Sequence, residues 1–184
     1  MRTEASLTGH SRFEEQVLPH LDAAYNLARW LTRDAHDAED VVQDACVRAM
    51  RYVDALRAGD AKAWFLTIVR HACYDWFRRN RPPEIAADEG AIDAAVDTAA
   101  LSPEQIFTRG AETRALQDAV AALPLPYREV LILRELEELS YKEIARIADI
   151  PVGTVMSRLS RARALLQRSP LLQAIDGQSS RGER

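Results

Sequence analysis

The strongest structural signal in this chain lies in residues 139–166, which read LSYKEIARIADIPVGTVMSRLSRARALL. Ser140 and Glu143 have the S-x-x-E spacing of a capping box, in which each side chain accepts a hydrogen bond from the backbone N–H of the other residue. This spacing predicts a helix that begins at Tyr141 and extends to about Ala148.

A tight turn and a second helix follow. The turn is predicted at residues 149–152, where Asp149 can adopt unusual backbone angles more readily than most residues. The second helix then opens at Thr154. Ala145 is small enough for two helices to cross closely, and Val155 comes ten residues later. This combination is typical of a helix-turn-helix.

The second helix has an apolar and a polar face. The inward face carries Val155, Leu159, Ala162 and Leu166. The outward face carries Ser157, Ser160, Arg161 and Ala164, flanked by Met156 and Arg158. Short side chains let a helix sit deep in a major groove, and an arginine can donate paired hydrogen bonds to guanine. The alternative is an ordinary amphipathic helix whose arginines pair with Glu135, Glu137 and Glu138.

Composition narrows the class of protein. The 184 residues carry a formal net charge of −4, with 47% hydrophobic and 28% charged residues, as in one or two small globular domains. Cys46 and Cys73 lie outside any CxxC pair, so neither a disulfide framework nor a zinc site is indicated. The N-terminus lacks the apolar core of a secretion signal, and no run approaches the ~18 apolar residues of a membrane span. We therefore expect a cytoplasmic protein with no membrane insertion.

Hydrophobic patterning divides the chain into three parts. Residues 80–110 open with Pro82-Pro83, are rich in alanine and acids, and lack a sustained apolar period, as in a linker. Helical periodicity holds at residues 12–79 and 111–172, and alternating β-branched runs are nearly absent. The expected fold class is all-α, with two small helical domains joined by a flexible linker.

The first domain is expected to contain helices at about residues 13–31, 38–56 and 61–79. The first helix is predicted to bury Val17, Leu21, Ala24, Leu27 and Leu31. The second is predicted to bury Val42, Ala45, Ala49 and Val53. Its other side carries Asp40, Gln43, Asp44 and Val47, while Asp37 and Glu39 suit the helix N-terminus. Spacing alone leaves open whether this acidic face is functional or an ordinary solvated surface.

The third helix combines a core stripe with an unusual polar face. The predicted core positions are Phe65, Ile68, Ala72 and Trp76. The opposite face carries Thr67, Arg70, His71, Tyr74 and Arg78. Aromatic, imidazole and guanidinium groups on one exposed face could stack on unpaired bases and hydrogen-bond to them. An idle surface of the same composition is the alternative.

Four segments together resemble the bacterial RNA polymerase sigma factors. They are DAEDVVQDACVRAMR at 37–51, AWFLTIVRHACYDWFRR at 63–79, LPLPYREVLILRELEELSYKEIA at 123–145 and PVGTVMSRLSRARALL at 151–166. Their order and spacing are similar to those of the extracytoplasmic-function (ECF) group, which has only the region 2 and region 4 domains and a linker. The resemblance covers nearly the whole chain.

The resemblance implies three sets of contact residues. The helix at 37–51 would dock on the β′ clamp helices of core polymerase through Asp37, Asp40, Gln43, Asp44 and Val47. The helix at 63–79 would hold the opened −10 element through Trp64, Arg70, His71, Tyr74, Asp75 and Arg78. The recognition helix would contact the −35 element through Thr154, Met156, Ser157, Arg158, Ser160 and Arg161.

The resemblance also implies the partners and the absence of catalysis. The expected partners are core RNA polymerase, including its β flap, promoter DNA and an anti-sigma factor, with no cofactor or metal. Family members commonly carry Asn where His71 stands and Lys or Arg where Met156 stands. The base preference at His71 therefore stays open, since the edge of an imidazole differs from that of an amide. Met156 should lack a charged phosphate or base contact, and could contact a thymine methyl instead.

Three other classes of protein fit parts of the sequence. A stand-alone helix-turn-helix regulator would use only the C-terminal half. A sigma mimic that sequesters an anti-sigma factor would share these folds but would not need the outward-facing Ser157 and Arg161. An enzyme could use His36 with Asp40 or His71 with Asp75 as metal ligands at i, i+4, but neither pair has a third ligand in evident reach.

Overall fold

The computed structural model describes residues 2–56, 59–80 and 109–173, and the regular structure in these ranges is helical. The main helices are α1 Arg2–Gln16, α2 Leu21–Thr32, α3 Ala35–Tyr52, α4 Ala61–Asn80, α5 Arg109–Ala122, α6 Leu125–Glu135, α7 Tyr141–Ala148 and α8 Val152–Gln167. Short 3-10 turns occupy Leu18–His20 and Val53–Ala55. The predicted all-α class is confirmed.

The first predicted helix, at residues 13–31, is interrupted in the structure. α1 ends at Gln16 and α2 begins at Leu21, with a 3-10 turn between them. Pro19 lies in this turn, and proline breaks a helix because it lacks an N–H and its ring clashes with the preceding turn. The predicted apolar stripe still points inward. Its members Val17, Ala24, Leu27 and Leu31 are fully buried, and Leu21 is half-buried.

α3 begins three residues earlier than predicted, at Ala35 rather than residue 38. The Asp34 carboxylate accepts hydrogen bonds from the backbone N–H of His36 at 2.8 Å and of Asp37 at 3.1 Å. These two bonds make Asp34 the N-cap and satisfy donors that a helix start leaves unpaired. The same two bonds, above all that from Asp37, lower the pKa of Asp34. The helix buries Ala38, Val41, Ala45 and Ala49, whereas Val42 is only half-buried.

α4 is rotated relative to the predicted core stripe. Phe65 and Ala72 are buried as expected, but Ile68 and Trp76 are only half-buried. The buried set is Ala63, Phe65, Leu66, Val69, Ala72, Cys73 and Phe77. The helix buries more than one side because it packs against α2, α3 and α7. A single predicted stripe assumes only one packed face.

The helix-turn-helix follows the predicted local structure closely. Ser140 and Glu143 form both hydrogen bonds of the capping box, and the helix covers Tyr141–Ala148. Asp149 ends it in the left-handed conformation, with φ of 53°. α8 begins at Val152 rather than Thr154, and Pro151 is its N-cap residue. Val155, Leu159 and Ala162 are buried, and Leu166 is half-buried.

The two halves of the chain share one continuous hydrophobic core. α6 packs against α2, and α7 packs against α4. Two domains joined by a flexible linker were expected, and the described parts of these domains are in direct contact. Most of the predicted linker, residues 81–108, lies outside the described residues. Its two ends are helical, since Asn80 belongs to α4 and residues 109–110 belong to α5.

Candidate nucleic-acid and protein-binding surfaces

The outward side of α8 is a polar surface with small side chains. Ser157 and Ser160 are exposed, and the Ser157 hydroxyl donates to the Thr154 carbonyl oxygen at 3.0 Å. Thr154 itself is half-buried, and Met156 is 53% exposed. The buried stripe of α8 packs on α6 and α7, so this polar face is directed away from the core. A major groove could receive such a face.

The arginines of α8 have three different surroundings. Arg163 pairs with Glu135 of α6 at 2.7 Å. Pairing of this kind is what an ordinary amphipathic helix would show. Arg161 is exposed and donates to the Tyr127 hydroxyl at 3.4 Å. Arg158 is half-buried. Arg161 is therefore better placed than Arg158 or Arg163 to contact a ligand in solvent.

The predicted acidic face of α3 is present on the surface. Asp40, Gln43 and Val47 are exposed, and Asp37 and Asp44 are partly exposed. Val47 is 51% exposed and adds an apolar side chain to this face. Met50, which lies seven residues after Gln43 and is 46% exposed, extends the same face. Sequence analysis missed Met50, although its heptad spacing from Gln43 was a signal.

A chain of ion pairs connects this face to α4. Arg48 binds Asp44 at 2.7 Å and Asp75 at 2.6 Å, and Arg78 binds the other carboxylate oxygen of Asp75. The hydrogen bond from Arg48 lowers the pKa of Asp75. Both oxygens of Asp75 are thus paired with arginines, and the pair with Arg48 joins α3 to α4.

The polar face of α4 is divided between solvent and protein. His71 and Arg78 are exposed, and Trp64 is half-buried. Arg70 and Tyr74 are covered by α6, where the Arg70 Nε donates to the Glu129 carboxylate at 2.6 Å. The Tyr74 hydroxyl donates to the other oxygen of Glu129 at 3.3 Å, and the Arg70 guanidinium stacks on the Tyr74 ring.

Glu129 is an acidic side chain with no exposed surface. Complete burial raises the pKa of Glu129, and the Arg70 charge acts in the opposite direction. Burial likewise raises the pKa of Tyr74, an effect that the nearby Glu129 charge strengthens. The Arg158 charge acts against both increases, which places this half-buried arginine near the same cluster.

Sequence analysis missed Glu129 because its neighbours on α4 are distant in the sequence. The helix α6 is buried at every position from Tyr127 to Leu133, including Arg128 and Glu129. A helix that is buried all round normally lacks charges, and a buried charge requires a partner. The available signal was the pair Arg128 and Glu129 directly before the apolar run VLIL, but the partners of these charges could not be identified from it.

The two His–Asp pairs that could have been metal ligands have other surroundings in the structure. Asp75 contacts two arginines, and both His36 and Asp40 are exposed side chains. Among residues 2–56, 59–80 and 109–173, no three His, Cys, Asp or Glu side chains come together as a metal site would need. Within those same ranges, no helix has the length and apolar character needed to cross a bilayer.

Known protein families match both halves of the chain. The family model for sigma-70 region 2 matches residues 17–82, and that for sigma-70, region 4 matches residues 113–166. The ECF RNA polymerase sigma factor SigE of Mycolicibacterium smegmatis is 33% identical over 155 residues, which are 84% of this chain and 60% of SigE. The RNA polymerase sigma-H factor of Pseudomonas aeruginosa is 33% identical over 172 residues, which are 88% of each protein.

A solved structure shows the same fold. The chain is similar to the sigma factor RpoE in its complex with the anti-sigma factor NepR from Bartonella quintana. The TM-score is 0.67 at 32% sequence identity, over 88% of this chain and 96% of RpoE. The chain belongs to the sigma-70 family, as an ECF-type sigma factor that directs RNA polymerase to promoters. Its relatives are sigma factors, which are non-enzymatic transcription initiation factors.

Proposed function

We propose that specific faces of α3, α4 and α8 carry out this function. α3 docks on the β′ clamp helices of core polymerase, α4 holds the opened −10 strand, and α8 enters the major groove of the −35 element. The observation that carries the proposal is the surface of α8, where the exposed hydroxyls of Ser157 and Ser160 and the exposed Arg161 lie on the second helix of a capped helix-turn-helix. That surface combines groups that can hydrogen-bond to base edges with small side chains that allow close approach to a duplex.

Each face supplies a different part of the binding free energy. On α8, the pair Ser157 and Ser160 and the guanidinium of Arg161 contact base edges, while other basic groups contact phosphates. On α4, aromatic and basic side chains hold unpaired bases, and this binding offsets an unpairing cost of a few kcal/mol per extruded base. The acidic face of α3, with Val47 and Met50 at one end, supplies the protein–protein contact.

The proposed partners follow from the family and from a solved relative. Core polymerase contacts both halves, through the β′ clamp helices at α3 and the β flap at region 4. The RpoE structure contains an anti-sigma factor, and we infer that a protein of that class regulates this chain too. All of these partners act where transcription takes place, which for this chain is the cytoplasm.

Run-off transcription tests the proposed function. Purified core polymerase, this chain and a pool of genomic promoter fragments should yield discrete transcripts that are absent when the chain is omitted. A second sigma factor with known promoters serves as the positive control for the core enzyme. No transcript across the pool, with an active control, would exclude the proposed function and favour a sigma mimic.

A further inference from the structure

Met156 is an exposed apolar side chain on the outward side of α8. It is 53% exposed and lies outside the hydrophobic core. Gly153, three residues before it, and Ser160, four residues after it, lie on the same side of the helix and are also exposed. Because glycine has no side chain and serine a short one, the Met156 side chain extends beyond both of these neighbours.

A second apolar side chain lies one turn before Met156. Val152 is four residues earlier, so it is on the same side of the helix, and it is 38% exposed. A methyl group added at Gly153, between the two, would meet no heavy atom within 4 Å. The first two turns of α8 therefore present a small apolar strip, made of Val152 and Met156, with open space in front of its backbone.

The position of this strip favours duplex DNA as its partner. In a helix-turn-helix, the N-terminal residues of the second helix contact base edges in the major groove. The sequence of α8 also contains Arg158, Arg161 and Arg163 and no acidic residue, which favours a phosphate backbone beside it. Met156 thus lies on the part of the helix that would enter the groove most deeply.

The chemistry of the major groove then limits what Met156 can contact favourably. The C5 methyl of thymine is an apolar group on that edge, whereas the other distinguishing groups of the four bases are hydrogen-bond donors and acceptors. A thioether has no donor and is only a weak acceptor. Covering a guanine or cytosine edge with it would leave polar groups without partners, which costs free energy. The flexible methionine side chain can instead pack on a methyl group.

The neighbouring Ser157 favours the same base pair. Its hydroxyl donates to the Thr154 carbonyl oxygen at 3.0 Å, and a hydroxyl has only one hydrogen to donate. While this bond is kept, Ser157 can only accept a hydrogen bond from a base, which the amino groups of adenine and cytosine can donate. An A·T pair presents both an amino group and a methyl group in the major groove, whereas a G·C pair lacks the methyl.

We propose that Met156 is a specificity-determining residue, which selects thymine at one position of the −35 element by contact with its C5 methyl group. Val152 extends the apolar surface that this methyl meets. The inference rests on the proposed function of α8 and deepens it, because it names a base for which this helix is selective. Loss of the methyl should weaken binding about fourfold, the equivalent of about 0.8 kcal/mol for one buried carbon group.

Replacing thymine with uracil tests the contact directly, since the two bases differ only by this methyl group. The probe is a fluorescent promoter duplex from the run-off experiment, in which each thymine of the −35 element, on either strand, is replaced in turn by deoxyuridine. Binding of the holoenzyme is measured by fluorescence anisotropy. One replacement should weaken binding by wild type about fourfold. The same replacement should have no effect with Met156→Ala, whereas Met156→Leu should keep the dependence.

Leu116→Ala is the matched control. Leu116 is an apolar side chain of similar exposure, 48%, but it lies on α5. This variant should show the same dependence on the methyl group as wild type. Affinity for core polymerase should be unchanged in Met156→Ala. A loss of that affinity, with the uracil profile of wild type retained, would assign Met156 to a protein contact and overturn the inference.

The outcomes separate this inference from the proposed function. If wild-type holoenzyme binds every uracil-containing duplex as well as the unmodified duplex, recognition of a thymine methyl is wrong, and the proposed role of α8 still stands. A −35 element without thymine on either strand would overturn the inference in the same way. If the holoenzyme does not bind the unmodified duplex, the proposed function fails and this inference fails with it.

Discussion

At the scale of single residues, arginines of the same helix differ in the contacts that they can make because their neighbours differ. Arg163 is held by the Glu135 carboxylate on α6, and Arg158 is half-buried near Glu129. Arg161 is exposed, and its 3.4 Å contact with the neutral Tyr127 hydroxyl is weak enough to exchange for a better acceptor. Arg161 is therefore our candidate for direct base recognition.

Replacing Arg161 with alanine should weaken recognition of the −35 element. The expected loss is about 1–3 kcal/mol of discrimination, since a well-placed arginine contributes roughly that much against the wrong base. Holoenzyme binding to a promoter fragment, measured by fluorescence anisotropy with matched and mismatched −35 sequences, gives the value. Affinity for core polymerase should not change.

Arg163→Ala is the control for Arg161→Ala. It removes the same charge from the same helix but breaks only an exposed ion pair, which typically contributes less than about 1 kcal/mol to stability. Equal losses of discrimination in the two variants would show that charge alone matters. In that case Arg161 would contact phosphates and not bases.

At the scale of secondary structure, α3 has one exposed face, which we propose as the partner-binding face, and another that packs in the core. The exposed face combines acids with the apolar side chains Val47 and Met50. Asp44 is a poor site for mutation because it pairs with Arg48, which also binds Asp75 of α4. Asp40 is exposed on the same face and is the better site for mutation.

The variant Asp40→Lys should therefore weaken binding to core polymerase without unfolding the chain. Charge reversal inside a complementary interface costs several kcal/mol in unfavourable juxtapositions, so at least a tenfold loss of affinity, about 1.4 kcal/mol, is expected. Competition with a reference sigma factor for core enzyme measures it. Glu39→Lys makes the same charge change about 100° around the helix and should have little effect. A similar loss in both would mean that only net charge matters.

The capping box determines where α7 begins and should contribute to stability. The Ser140 hydroxyl accepts from the Glu143 N–H, and the Glu143 carboxylate accepts from the Ser140 N–H at 2.8 Å. Ser140→Ala leaves one donor unpaired, with an expected loss of about 1 kcal/mol in the free energy of unfolding by urea. Ser160→Ala, within α8, is expected to change stability little, because alanine favours helix. Stability equal to wild type in Ser140→Ala would contradict a role for the cap.

At the scale of the whole molecule, the net charge and the contact between α4 and α6 both work against DNA binding by the chain alone. The net charge of −4 opposes general affinity for DNA, and the donors Arg70 and Tyr74 are bonded to Glu129. Polymerase should therefore supply most of the affinity for promoter DNA. We therefore expect a free chain with these properties to compete little with the holoenzyme for DNA.

The chain alone should consequently leave no footprint on promoter duplex at physiological salt, whereas the chain with core polymerase should protect both promoter elements. Nuclease protection on a promoter from the run-off experiment checks this. Core polymerase without the chain is the control for non-specific protection. Protection of the −35 region by the chain alone would instead support a stand-alone helix-turn-helix regulator.

The sequence by itself determined the local features of this protein. Capping, turns and helical faces depend on residues three to ten positions apart, so the helix at Tyr141, the turn at Asp149 and the outward side of α8 could be predicted. The helix break at Pro19 was not predicted, because the apolar stripe continues through it. The sigma-factor class also followed from four segments in order.

Only the tertiary structure decided which of these faces are free. Arg70 and Glu129 are 59 residues apart, and no local pattern encodes a contact over that separation. The rotation of the α4 core, the occupation of Asp75 by two arginines and the shared core of both regions have the same origin. Each depends on which helices pack together. When a helix is buried on a second or third side, a face that its sequence predicts to be exposed is covered by protein.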